Sequence, residues 1–162
     1  MPQQPDGSLL LADIEAHIKP DDAHFARTRL LTLENTIGGK VLAMDYLAAA
    51  SALAQRRGLA RHLDGARLFN AAVAVDAAEP YAAARQICSH FDSVSVCFSK
   101  GLGAPVGSVL CGSRQFIKAA HRWRKMAGGG LRQAGLLRGY EAIATMVPSA
   151  GMRSPVSTIT TS

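Results

Sequence analysis

No apolar run in this chain reaches the ~20 residues that a helix needs to cross a bilayer; charge or glycine interrupts each one first. The N-terminus, Met1-Pro2-Gln3-Gln4-Pro5-Asp6, lacks the basic patch and apolar stretch of a secretory leader. A cytoplasmic protein with no membrane partner is expected. Cysteine is scarce and badly spaced for joint chemistry. Cys88, Cys97 and Cys111 form no Cys-x-x-Cys pair, which removes support for zinc and dithiol sites and predicts free, mostly buried thiols in a reducing compartment. His24, His62, His90 and His121 show no metal-ligand spacing, so no metal is expected. No Gly-x-Gly-x-x-Gly follows a strand, and Gly128-Gly129-Gly130 lacks the Gly-Lys-Ser/Thr ending of a nucleotide P-loop. Dinucleotide and ATP binding therefore have no support. Internal repeats and low-complexity tracts are missing as well.

What is present suits a globular domain. The 162 residues are 48% hydrophobic and 19% charged, close to the average for folded domains. The net charge of +6 raises nucleic acid or an anionic ligand as a partner. The positive residues are dispersed, however, and only His121-Arg122-Trp123-Arg124-Lys125 clusters. Such a run is ordinarily a solvated helix face, and no nucleic-acid partner is expected.

Periodicity gives an alternating pattern. Ser8–Ile18 is spaced as a helix and stopped by Pro20; Arg29–Glu34 is a short buried strand. Ala43–Arg57 is a helix closed by Gly58, and Ala60–Leu63 a strand running into Asp64-Gly65. Ala66–Val75 is helical, and Tyr81–Ile87 is a helix started by Pro80. Ser93–Phe98 alternates and is a third strand; Gly107–Gly112 is a fourth; Ser113 caps a helix over Arg114–Met126. Strands alternating with helices predict an α/β fold, with a mostly parallel sheet flanked by helices. Functional groups gather at the carboxyl ends of such strands. Glu34-Asn35-Thr36, Asp64-Gly65-Ala66-Arg67 and Ser99-Lys100-Gly101 all fall there.

Lys100 leaves an apolar strand beside Gly101 and Gly103. A lysine at a strand mouth is partly desolvated, which favours the neutral amine that attacks aldehydes. Glycine beside it admits a bulky ring. An isolated Ser-Lys-Gly is more often a surface lysine in a loop. Asp64 adds weight: a fixed carboxylate can hold the proton on a pyridine nitrogen and so make the ring an electron sink. An aspartate there can equally cap the helix that follows. Arg67 is a planar fork suited to a substrate carboxylate, or an ordinary helix-surface arginine. Lys125 and Arg132 would favour a phosphate or carboxylate ligand. His62, two residues before Asp64, is placed near the site, and Trp123 at a subunit contact.

Several segments, in this order and spacing, resemble the low-specificity L-threonine aldolases, a family of fold type I pyridoxal phosphate enzymes. They are Lys19-Pro20-Asp21-Asp22, His24 to Thr28, Leu33 to Thr36, Gly39 to Leu42, His62 to Asn70, Ser99 to Ser108, and Arg122 to Gln133. The resemblance covers Pro5 to Leu137 and implies part of the large domain, residues 5–137, followed by a disordered tail, 138–162. It implies pyridoxal 5'-phosphate as cofactor, Lys100 as the catalytic lysine that carries it, Asp64 as the pyridinium partner and Arg67 as a cofactor- and substrate-binding residue. Lys125 and Arg132 become substrate-binding residues. The implied reaction is retro-aldol cleavage of L-threonine or L-allo-threonine to glycine and acetaldehyde, by a homotetramer. Two departures stand out. The family's N-terminal third, with its phosphate-binding Gly-Thr segment and ring-stacking histidine, is not in the chain, and the pattern stops after Leu137. A gene fragment with a frameshift near Leu137 is expected, and the alternative to an active enzyme is a non-catalytic remnant or co-assembling piece.

Overall fold

A computed structural model describes residues 1–130 and the strand Ser157–Thr161. Five strands form one sheet in the order β1-β2-β3-β4-β5: Leu30–Glu34, Ala60–Gly65, Ser93–Cys97, Ser108–Gly112 and Ser157–Thr161. The helices are α1 (Leu11–Ala16), α2 (Met44–Arg56), α3 (Leu68–Val75), α4 (Pro80–Cys88) and α5 (Arg114–Met126). Each matches a segment expected from the sequence, with ends shifted by up to three residues. β1, β2 and β3 run parallel, joined by α2 and by the α3–α4 pair. β4 runs antiparallel to β3, and β5 antiparallel to β4, so four of the five strands point one way.

The reversal at β4 has a simple cause. A parallel neighbour needs a long crossover, usually helical. The Phe98–Gly107 segment contains no helix, so the chain turns back and pairs Cys97 with Ser108. Phe98 N–H donates to the Gly107 carbonyl at 2.9 Å, closing the base of the loop that carries Lys100. β4's other edge offers unpaired backbone groups, and Ser157–Thr161, rich in β-branched threonine, fills it. The sequence places that stretch in a disordered tail, 138–162; residues 131–156 and Ser162, with the rest of that tail, lie outside the described residues.

The sheet's two faces differ. Leu31, Leu33, Leu63, Val94, Val96 and Val109 alternate onto one face and are buried. Successive right-handed crossovers in one direction place α2 and the α3–α4 pair on a single side, and that side is the buried one. Leu47, Ala50, Leu53 and Ala54 of α2, Ala71 and Ala72 of α3, and Ala83, Ala84 and Ile87 of α4 complete the core. Thr32, His62, Asp64 and Ser95 alternate onto the opposite face, where none is fully buried. The strand starts are locked by Arg61 and Asp92: Arg61 Nε donates to Asp92 Oδ2 at 3.0 Å, its Nη2 donates to Oδ1, and its backbone N–H donates to Oδ2 at 2.8 Å. Arg61 is mostly buried, and its Nη1 also donates to Ser51 Oγ at 2.9 Å.

Candidate functional site

The carboxyl ends of β1, β2 and β3 meet at one edge of the sheet. Parallel register sets Glu34 opposite Asp64, and Asp64 opposite Ser95. Asn35 extends the tie, its backbone N–H donating to the Asp64 carbonyl at 3.1 Å. Asn35 is fully buried, and its Oδ1 accepts from Leu42 N–H at 3.2 Å, which holds the loop after β1 against the strand end.

Asp64 is exposed, and its Oδ1 accepts the Ala66 N–H at 3.0 Å. That contact makes a local turn rather than a helix cap: α3 starts later, with Arg67 at its N-cap and no side-chain cap bond. Among the described residues, the other carboxylate oxygen has no hydrogen bond. Gly65 next to it must be glycine, because an added Cβ would lie 2.8 Å from the Ser95 carbonyl oxygen and 3.3 Å from the Leu68 Cβ. The missing side chain lets α3 start tight against β3 and brings Arg67 to the same edge. The guanidinium of Arg67 is exposed and, among the described residues, has no hydrogen bond or ion pair.

Lys100 follows β3 in the closed loop and is half-buried, also without a hydrogen bond or ion pair among the described residues. Ala104 N–H donates to the Phe98 carbonyl at 3.1 Å, and Leu102 and Ala104 pack against the core. Gly101 and Gly103 both have left-handed backbones, φ +69° and +75°, conformations costly for other residues.

Asp64, Arg67 and Lys100 are therefore gathered at one edge, none paired with another. Lys125 lies exposed on the last turn of α5 and, among the described residues, makes no hydrogen bond or ion pair with them. Arg132 lies outside the described residues. His62 shares Asp64's face, as the two-residue spacing suggested, and its Nδ1 lies 2.8 Å from Ser93 Oγ. Burial lowers the pKa of His62, and the Asp64 carboxylate partly opposes that shift. Asn70 escaped the sequence reading as a site residue. It lies three positions after Arg67 on the first turn of α3, and a Cβ added to Gly101 would lie 2.7 Å from its Oδ1. The helical spacing from Arg67 was the signal available. The three cysteines are free and half-buried, and burial pushes the Cys88 thiol up to about 12.

A family model for beta-eliminating lyases matches residues 1–154. The low specificity L-threonine aldolase of Escherichia coli K12 is 54% identical over 132 residues, 82% of this chain and 38% of that relative. The low specificity L-threonine aldolase of Saccharomyces cerevisiae is 45% identical over 131 residues, 80% of this chain and 33% of the relative. A crystal structure assigned as an L-allo-threonine aldolase from Listeria monocytogenes EGD-E superposes with a TM-score of 0.65 at 28% identity, covering 88% of this chain and 38% of that one. The chain thus spans well under half the length of these relatives. The chain belongs to the beta-eliminating lyase family.

Proposed function

We propose that this chain carries the cofactor-lysine core of a pyridoxal phosphate-dependent aldehyde-lyase that cleaves L-threonine and L-allo-threonine to glycine and acetaldehyde. The observation that carries the reading is the gathering of Asp64, Arg67 and Lys100 at the carboxyl edge of parallel strands, with no hydrogen bond or ion pair among the described residues to the side chains of Arg67 and Lys100. The names of the relatives support the substrate class.

The residues present fit pyridoxal 5'-phosphate. Lys100 offers an amine to its aldehyde, Asp64 offers its ring nitrogen a carboxylate oxygen that has no hydrogen bond among the described residues, and Arg67 offers a fork to an anionic group. When bound, the cofactor supplies a sink for the electron pair left on Cα as the Cα–Cβ bond breaks. Asp64 keeps a proton on the ring nitrogen, which makes that sink effective. Arg67 grips the substrate carboxylate and fixes its orientation, with Lys125 and Arg132 adding positive charge for the same anion. Lys100 would hold the cofactor's aldehyde and, as a free amine, would move a proton at Cα of the glycine product.

Working as a homotetramer in the cytoplasm belongs to the same reading. A second reading, a non-catalytic piece that co-assembles with similar subunits, draws on α5, where Trp123 is 68% and Met126 73% exposed. Large apolar groups so exposed mark contact surfaces.

The test is to reduce the chain with borohydride in the presence of pyridoxal phosphate, map the labelled peptide, and assay glycine release from L-threonine. Label on Lys100 with glycine release is the expected result. Label confined to other lysines overturns the site. Label on Lys100 without turnover, in a chain that sediments as a mixed assembly with a family aldolase, favours the second reading.

A further inference from the structure

The loop after β3 is held at its base by the Phe98–Gly107 hydrogen bond, and at its far side by Leu102 and Ala104 on the core. Neither anchor touches its crown, Lys100-Gly101. The crown meets α3 instead. A Cβ added to Gly101 would lie 2.7 Å from Asn70 Oδ1, 3.4 Å from its Cγ and 3.6 Å from its Nδ2, so the whole carboxamide lies against the glycine Cα. Gly103, two residues on, offers a contrast: it has the same left-handed backbone, and an added Cβ would meet nothing within 4 Å. Conformation alone explains glycine at 103; at 101 a neighbour demands it too.

Asn70 is fixed from behind. It lies on the first turn of α3, and its backbone N–H donates to the Arg67 carbonyl at 3.0 Å. Asn70 is exposed and its carboxamide makes no hydrogen bond among the described residues; its approach to Gly101 is its contact with the lysine turn. We propose that Asn70 is a positioning residue for Lys100: it transmits the placement of the Asp64–Arg67 segment to the lysine turn, and so sets the direction in which the amine leaves the sheet. The proposal rests on the reading of Lys100 as the cofactor lysine, and its test separates the two.

Four proteins decide it: the natural chain, Asn70→Ala, Gly101→Ala and the double variant. Each is reduced with borohydride and pyridoxal phosphate, and the label on Lys100 is compared with that on Lys19, Lys40, Lys118 and Lys125. Asn70→Ala should lower the Lys100 share on the order of tenfold, as misplacement of a reacting group does. Gly101→Ala should lower it further, and adding Asn70→Ala to Gly101→Ala should cause no additional loss, because the added methyl no longer meets a carboxamide. An unchanged Lys100 share in Asn70→Ala, or effects that simply multiply, overturns the proposal. A second arm needs no cofactor. The lysines are methylated with ¹³C-formaldehyde and their methyl resonances recorded. Asn70→Ala should move the Lys100 resonance and leave those of Lys19, Lys40 and Lys118 in place, a selectivity that general loosening of the fold would not give. If the natural chain takes no cofactor on Lys100, the functional reading fails, and this arm still decides the role of Asn70: an unmoved Lys100 resonance sinks it.

Discussion

Glu34 and Asp64 stand opposite each other on adjacent parallel strands, two carboxylates at the edge where Arg67 and Lys100 gather. Their surroundings separate them. Asp64 is exposed and its side chain accepts the Ala66 N–H, whereas Glu34 is half-buried at the end of the edge strand. Asp64→Asn should weaken pyridoxal phosphate binding about 10- to 150-fold, the worth of one charged hydrogen bond. Glu34→Gln should change it by less than about threefold, a few tenths of a kcal/mol at a site that keeps its charged partner. Equilibrium titration of cofactor absorbance distinguishes the two, and equal losses would place the ring nitrogen between both carboxylates.

Arg67→Lys keeps a positive charge and gives up the two-pronged grip. Its KM for L-threonine should rise roughly tenfold, with kcat changed far less, because the group binds the carboxylate before and during reaction alike. Steady-state kinetics over a substrate series reads this directly.

Leu63 is the core residue of the central pair of strands, fully buried between α2 and the sheet's neighbours. Leu63→Ala should destabilise the fold by about 2–5 kcal/mol, from lost transfer energy and the cavity left behind. Urea unfolding followed by circular dichroism measures it.

Acid should open the molecule at the strand starts. Hydrogen bonds from Arg61 hold the Asp92 carboxyl below its usual range. A carboxyl with a lowered folded pKa stabilises the fold above its unfolded pKa, and that contribution disappears as pH falls below about 3.8. His62, also lowered, adds a loss beginning as pH drops under 6.5. Asp92→Asn should leave the mostly buried Arg61 poorly paired, reduce stability by roughly 1–3 kcal/mol at neutral pH and flatten the acid limb. Thermal melts between pH 3 and 7 check the sign.

Cys88 behaves in the opposite sense. Burial raises its thiol to about 12 from an ordinary 9.0, so its contribution is complete below pH 9.0 and falls away as pH climbs toward 12. Alkylation of Cys88 at pH 8 should be far slower than in urea, and mass spectrometry of iodoacetamide-treated chain follows it.

Much of this was legible in the sequence. Gly65, Pro80 and Ser113 stood at the element boundaries for local reasons, and the period of the apolar residues located every described helix and the first four strands. The direction of β4 was less accessible. It depends on the absence of a helix between Phe98 and Gly107, which the run of glycines there hints at but does not decide. Asp64's choice between helix cap and free carboxylate was not decidable from its position, because both begin with the same aspartate at a strand end; the structure gives Ala66 one oxygen and starts α3 at Leu68. Asn70 stayed hidden because its role is a contact across 31 residues of chain, visible only once α3 and the lysine loop are placed together.

The four rungs between β2 and β3, His62–Ser93 through Gly65–Val96, do more than hold two strands. Lys100 is carried by the end of one and Asp64 by the other, so the pairing acts as a vernier for the amine and the carboxylate. A slip of one residue would displace them by about 3.3 Å along the strands. It would also turn Asp64 from the open face into the layer of Leu33 and Val94, burying a charge with nothing to answer it. An error of one step is thus converted from a slightly misaligned site into a chain that does not fold, and chemical tolerance at this edge is enforced by the stability of the sheet.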